Sequence, residues 1–266
     1  MMLEKVNPAH VDKIADRIAG AMTDLVYSIQ DNPNVSINVN INNGKFTIIS
    51  ESSYRFLAAE VFDIIEKITG RNDIQLELTC YPPNQFDIIN QGGTKKCGNT
   101  GVYTAKPVSP EQEKLRDVVE TFYNHYKTPG EYLASKNRVI VLQSLGDYET
   151  IYNSLKPEYH NIVVNPACDN WASTVMLDSG RSNNRSYSDL ATISKGIHGK
   201  DLGKADITLQ IYAWLKAQET KKPQEIFCAI GDEIVDGKFY YEIVEQVREY
   251  IDNMGGFEKL AEWGLF

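Results

Sequence analysis

The sequence lacks the marks of several common classes. None of its apolar runs approaches the length needed to span a bilayer, so no membrane segment is expected. The four cysteines, Cys80, Cys97, Cys168 and Cys228, include no CxxC pair and have no histidine at ligand spacing. That gives no zinc framework and points to free thiols in a reducing compartment. Positive charge is scarce, with 27 Lys and Arg against 36 Asp and Glu and a net charge of −9. A general nucleic-acid binder would show a basic face, so no nucleic-acid partner is expected. No low-complexity linker divides the chain and no secretory leader precedes the first helix, so the expectation is a cytoplasmic protein.

What is present reads as an ordinary globular chain, 42% hydrophobic and 24% charged. Any anion site must then be a local basic cluster in an acidic envelope. Residues 178–206, DSGRSNNRSYSDLATISKGIHGKDLGKAD, supply one, with four glycines, five Lys or Arg and four aspartates. Glycine-rich backbone leaves N–H groups open to a ligand. Lys200 and Lys204, four residues apart, can converge on one polyanion, and Asp206 can hold its divalent cation. The plainer reading is a solvated linker before a helix.

Periodicity places the elements around this stretch. Val11, Ile14, Ile18, Met22, Leu25 and Val26 recur at helical spacing, with His10, Asp12 and Lys13 crowding the first turn. A carboxylate suits a helix N-terminus and a lysine does not, which hints at a nearby anion. VSINVNINNGKFTIIS alternates about Asn43-Gly44 and reads as a hairpin, followed by a helix ending at Gly70 and the strand IQLELTCY. Residues 82–106 read as a long irregular connection. Beyond it come helix 110–128, strand NRVIVLQS, short helix YETIYNSL, strand HNIVVNP, helix ITLQIYAWLKAQE, strand EIFCAIG and helix YYEIVEQVREYIDN. Adjacent strand pairs and irregular alternation favour α+β over a doubly wound sheet.

Five motifs, in order, resemble methionine adenosyltransferase (S-adenosylmethionine synthetase). AHVDKIADRIAGAMTDL is similar to the family's His-Pro-Asp-Lys helix, with Val11 in place of proline, and FDIINQG at 86–92 to its Asp-Ile-x-Gln-Gly segment. CGNTG at 97–101 resembles Gly-Asp-Gln-Gly, with Asn99 in place of aspartate. Asn165-Pro166, DSG at 178–180 and HGKDLGKAD at 198–206 follow the family's order, and CAIGDEIVDG at 228–237 resembles its last strand. The resemblance differs at GRSNNRS, which replaces Gly-Leu-Thr-Gly-Arg-Lys, and in a short region between residues 105 and 165.

The resemblance implies an α+β fold of three similar subdomains, each a mixed or antiparallel sheet with helices on one face, around a pseudo-threefold. The approximate segments are 14–105, 106–165 and 166–266. It implies synthesis of S-adenosylmethionine from ATP and L-methionine: the sulfur attacks C5′, tripolyphosphate leaves, and hydrolysis gives pyrophosphate and phosphate. His10, Lys13, Lys136, Arg185, Lys200 and Lys204 would be catalytic, with Asp12 and Asp206 holding Mg²⁺. Glu51, Gln91, Asp178 and Ile230 would bind methionine; Asn99 and Trp171, with Lys200 and Lys204, would bind ATP. Asn38 stands where the family has a glutamate associated with K⁺, which puts K⁺ dependence in question. The resemblance also implies a homodimer or dimer of dimers with its site between subunits, gated by the loop at 90–101. Two other readings stay open: a tripolyphosphatase, or a non-catalytic homologue that binds ATP or S-adenosylmethionine and regulates a partner enzyme.

Overall fold

The computed structural model describes residues 3–85, 88–89, 93–165, 179–185, 202 and 205–266. Three apolar cores organise these residues. The first is built by α1 (Val11–Ile29), β2 (Val35–Asn42), β3 (Lys45–Ser52), α2 (Ala58–Thr69) and β4 (Gln75–Tyr81). The helical stripe of Ile14, Ile18, Met22 and Val26 packs on Phe46 and Ile48 of β3 and on Val61 and Ile65 of α2. The hairpin turns at Asn43 and Gly44, both at positive φ (48° and 77°), the conformation for which Asn-Gly is chosen. α2 stops at Gly70, whose φ of 69° and N–H to Glu66 O make a left-handed cap.

The second core joins β1 (Leu3–Val6), α3 (Pro110–Tyr126), β6 (Gly130–Ser135), β7 (Arg138–Gln143), α4 (Tyr148–Leu155) and β8 (Asn161–Val164). Its sheet runs β1-β6-β7-β8, antiparallel except for the parallel β7–β8 pair. Pro110 in the first turn of α3, with Ser109 accepting from Gln112 N and Gln112 returning the bond, starts that helix.

The third core holds β5 (Gly101–Ala105), α5 (Ala205–Thr220), β10 (Gln224–Cys228), α6 (Tyr240–Met254) and α7 (Phe257–Trp263), with a small hairpin of β11 (Ile234–Val235) and β12 (Lys238–Phe239). β5 pairs antiparallel with β10, 123 residues away from Gly101 to Gln224. β9 (Ser179–Arg181) completes the first sheet in the order β4-β3-β2-β9.

Six strands emerge that periodicity does not reveal: the short β9, β11 and β12, and also β5, β6 and β1. β5 lies at the tail of the connection expected to be irregular throughout; it is a strand because β10 offers it a partner, with Tyr103 inward and Val102 outward. β6 alternates Gly130, Tyr132 and Ala134 inward, too small and too polar a set to register as an apolar stripe. β1 buries Lys5, whose Nζ donates to Trp263 O at 2.8 Å and to Phe266 O, so its alternation is broken by a cation. The short helix α7 is a further addition to the elements that periodicity places. Gly20 of α1 lets it approach, since a Cβ there would sit 2.6 Å from Phe257 O. Asp24 caps it by accepting from Phe257 N (2.7 Å) and Glu258 N (2.9 Å). Burial pushes the Asp24 carboxyl upward, against those two bonds.

Candidate active site

The start of α1 is held rigidly. Asn7 is buried, its Oδ1 accepting from Ala9 N (3.2 Å) and its Nδ2 donating to Thr128 O (2.8 Å). His10 caps the helix, its Nδ1 accepting from Asp12 N at 3.2 Å.

A strap from β9 then crosses this helix start. Gly180 is required there: a Cβ would fall 2.7 Å from the carbonyl carbon of Val11 and 2.8 Å from Asp12 N. Ser182 anchors the strap to β2, its Oγ accepting from Val39 N at 2.9 Å and its N–H donating to Val39 O at 2.8 Å. Asn183, at a φ of 68°, donates its N–H to Asp16 Oδ1 at 2.7 Å.

The strap delivers its donors to Asp12, whose side chain is 4% exposed. Oδ1 accepts from Arg181 N (3.0 Å); Oδ2 accepts from Asn184 Nδ2 (2.8 Å) and Arg185 Nε (2.8 Å). The Arg185 guanidinium also pairs with Glu4 of β1, lies 4.0 Å from Glu131 of β6 and 3.5 Å from His10 Nε2. Lys13, 1% exposed, sits in the same first turn. Thus His10, Asp12 and Arg185 meet at one helix start, with Lys13 next in the chain and Glu4, Glu131 and Asn184 beside them. Glu4 and Glu131 lie on β1 and β6, two of the strands hidden from periodicity, so no sequence signal points to them.

A second cluster lies at the start of α5. Asp206 accepts from Asn99 Nδ2 at 3.3 and 3.2 Å and from the Tyr103 hydroxyl at 3.2 Å. Burial, reinforced by Asp206, pushes the Tyr103 phenol upward, so it remains a donor. Ile230 joins this cluster through its N–H to Thr100 Oγ1, 2.8 Å. Tyr103 is a residue the sequence does not single out; its place on β5 inside an apparent loop conceals it.

Two other expected residues stand apart. Glu51 accepts from Asn84 N at 2.8 Å and lies on the outward face of β3, with Ser36 and Tyr81 as strand partners. α1 packs on the opposite, inward face, so Glu51 and His10 do not meet within one chain. Lys136 is exposed in the β6–β7 turn, at the far end of β6 from Glu131. The structure therefore does not bring it to Arg185, contrary to its grouping with the catalytic cations. Gln91, Trp171, Asp178, Lys200 and Lys204 lie outside the described residues.

Among the described residues no group of three or more His, Cys, Asp or Glu side chains can hold a metal on its own. Asp206 still fits Mg²⁺ of the kind that takes most of its ligands from phosphate and water. Its carboxylate is part-exposed and faces two neutral donors at long range. Asp12 does not fit in this arrangement, because both its oxygens are engaged, one by a guanidinium.

No family model matches the chain, and no curated protein matches it. A solved structure does: an S-adenosylmethionine synthetase from Campylobacter jejuni, described as unusual, at 14% identity and a TM-score of 0.71. The likeness covers 99% of this chain and 93% of that one. The fold is therefore α+β and S-adenosylmethionine synthetase-like. No helix among the described residues is long and apolar enough to cross a membrane.

Proposed function

We propose that the chain is a methionine adenosyltransferase, joining L-methionine to the adenosyl group of ATP with release of tripolyphosphate. The observation that carries this reading is the meeting of His10, Asp12 and Arg185, up to 175 residues apart, at one helix start. A thioether is a weak neutral nucleophile, so the reaction depends on holding the attack in line and on stabilising the departing chain. Arg185 and Lys13, with Lys200 and Lys204, supply cations for that chain. His10 hydrogen-bonds near the oxygen leaving C5′. Glu51 and Asp178 hold the methionine ammonium, Gln91 its carboxylate, and Ile230 packs on its side chain. Asn99 and Trp171 address the adenosine. Mg²⁺ bound with the triphosphate at Asp206 would neutralise charge on the leaving group.

Glu51 faces away from α1, so this chemistry needs a second copy of the chain, and we propose a homodimer of three-subdomain units with shared sites. Val102 and Phe227, strand partners exposed by 44% and 65%, offer apolar surface for the contact. The domain segments 14–105, 106–165 and 166–266, the pseudo-threefold and the gating loop are part of the same proposal. Two adjustments to the segments follow, since β5 packs with the third core and β9 completes the first sheet.

The test is incubation with ATP, L-methionine and Mg²⁺, with and without K⁺, followed by mass spectrometry and phosphate analysis. S-adenosylmethionine with pyrophosphate and phosphate supports the full reading, and S-adenosylmethionine with tripolyphosphate supports synthesis alone. ATP binding without product favours the second reading, a regulatory homologue. The closed hydrogen-bond set of Asp12 is the observation on that side.

A further inference from the structure

Cys97 and Cys228 play no part in the proposed chemistry, yet they meet. Their Sγ atoms lie 2.9 Å apart although 131 residues separate them. Both thiols reach the same acceptor, the Asn99 carbonyl, at 3.0 and 3.2 Å. The backbone holds the pair in register. Cys228 ends β10 opposite Gly101, Cys97 N donates to Asp232 O at 2.8 Å, and Gly231 N donates to Cys97 O at 2.8 Å. Neither cysteine is in a disulfide, and both are buried, Cys97 fully and Cys228 to 7% exposure. Cys80 is elsewhere, its Sγ facing Phe56 O at 3.9 Å. Two thiols that merely fill apolar space would stand at van der Waals separation; this pair is within about 0.9 Å of a disulfide bond length.

We propose that Cys97 and Cys228 form a reversible disulfide, made by exchange with a low-molecular-weight disulfide, that locks residues 93–100 onto the turn after β10. Cys97 is the attacking sulfur. The contact between the two sulfurs is the largest influence holding the Cys97 thiol below the ordinary range, and the same contact is the largest influence holding Cys228 above it. The Cys97 thiolate attacks one sulfur of the oxidant and expels its partner as a thiolate. Cys228 then gives up its proton and attacks Cys97 Sγ, expelling the second thiolate. Two electrons pass from the protein to the oxidant, which leaves as two thiols carrying the two cysteine protons. Access needs residues 93–100 to open, because both sulfurs are covered while that segment is seated. A disulfide has no S–H, so the Asn99 carbonyl loses its thiol donation as the segment is pinned. Any effect of this lock on Asn99 as an adenosine-binding residue rests on the function proposed above; the disulfide itself does not.

The experiment equilibrates the full chain, without ATP or methionine, across ratios of oxidised to reduced glutathione. Alkylation and peptide mapping then read the linkage, and backbone hydrogen exchange reads residues 94–100. The expected result is a Cys97–Cys228 link that rises and falls with the ratio and is absent from Cys97→Ser and Cys228→Ser. Exchange across 94–100 is expected to slow about tenfold in the linked protein. Both cysteines alkylated, or a stable glutathione adduct, or a link to Cys80 or Cys168, at the most oxidising ratio would overturn the proposal. A link that leaves exchange unchanged would overturn the locking. If either variant fails to fold, the wild-type map alone decides. Failure of S-adenosylmethionine synthesis by the reduced chain bears on the proposed function and not on this site.

Discussion

Replacing Arg185 by methionine strands a carboxylate inside the protein. Asp12 would keep Arg181 N and Asn184 Nδ2 as donors, both neutral, and lose the cation 2.8 Å away. An uncompensated buried charge costs about 3–5 kcal/mol. The Arg185 side chain is 20% exposed, so water follows into its place and the lower end, about 3 kcal/mol, applies. Asp12→Asn is milder, about 1–2 kcal/mol, because Glu4 and Glu131 still face the guanidinium. In the double variant the amide at position 12 carries no charge that needs Arg185, so the effects should fall short of their sum by about 2 kcal/mol. Urea unfolding of the four proteins, followed by circular dichroism, measures this directly. Additivity within about 0.5 kcal/mol would refute the claim that Asp12 and Arg185 form one coupled unit.

Other consequences are equally open to measurement. Gly180→Ala should cost about 1–3 kcal/mol, because the contacts it would make are with backbone atoms of Val11 and Asp12; an unchanged melting temperature would show that the strap does not press on the helix. Asn99→Asp places a carboxylate beside that of Asp206 and should lower the melting temperature by about 2–4 °C at neutral pH. Added Mg²⁺ should restore that loss, and a loss insensitive to Mg²⁺ would remove Asp206 from the metal assignment. Glu51→Ala and Arg185→Ala should each abolish synthesis, yet an unfolded and co-refolded mixture should regain about a quarter of wild-type activity, since half the dimers then carry one intact site of two. No recovery would place both residues in a site made by one chain.

The first core was legible in the sequence because its residues obey simple periods. The stripe on α1, the Asn43-Gly44 turn and the Gly70 stop are local signals with local causes. The second sheet hid its first strand behind Lys5, a buried cation that only distant carbonyl oxygens make tolerable. β5 was hidden because a strand among glycines and asparagines is created by its partner, and that partner is far off in sequence. The candidate site divides the same way. Motif order puts Arg185 and Asp12 in the same site as a cation and a metal ligand, whereas Glu4 and Glu131 come from strands that periodicity does not reveal. That both Asp12 oxygens are engaged is a matter of three-dimensional hydrogen bonding, which spacing along a chain does not encode.

The pairing of β5 with β10 also sets a timetable for making the protein. Translation delivers Gly101–Ala105 more than a hundred residues before Gln224–Cys228. At about 5–20 residues per second, the ribosome leaves that strand without its partner for several seconds or more. α1 waits longer for α7, which must seat against the bare backbone at Gly20. The first core can close early, but β5 stays an open edge until the third arrives, and open edges recruit other chains. A nascent polypeptide of this kind is a natural client for chaperones. Any cut between residues 106 and 223 would sever the two strands of one sheet from each other.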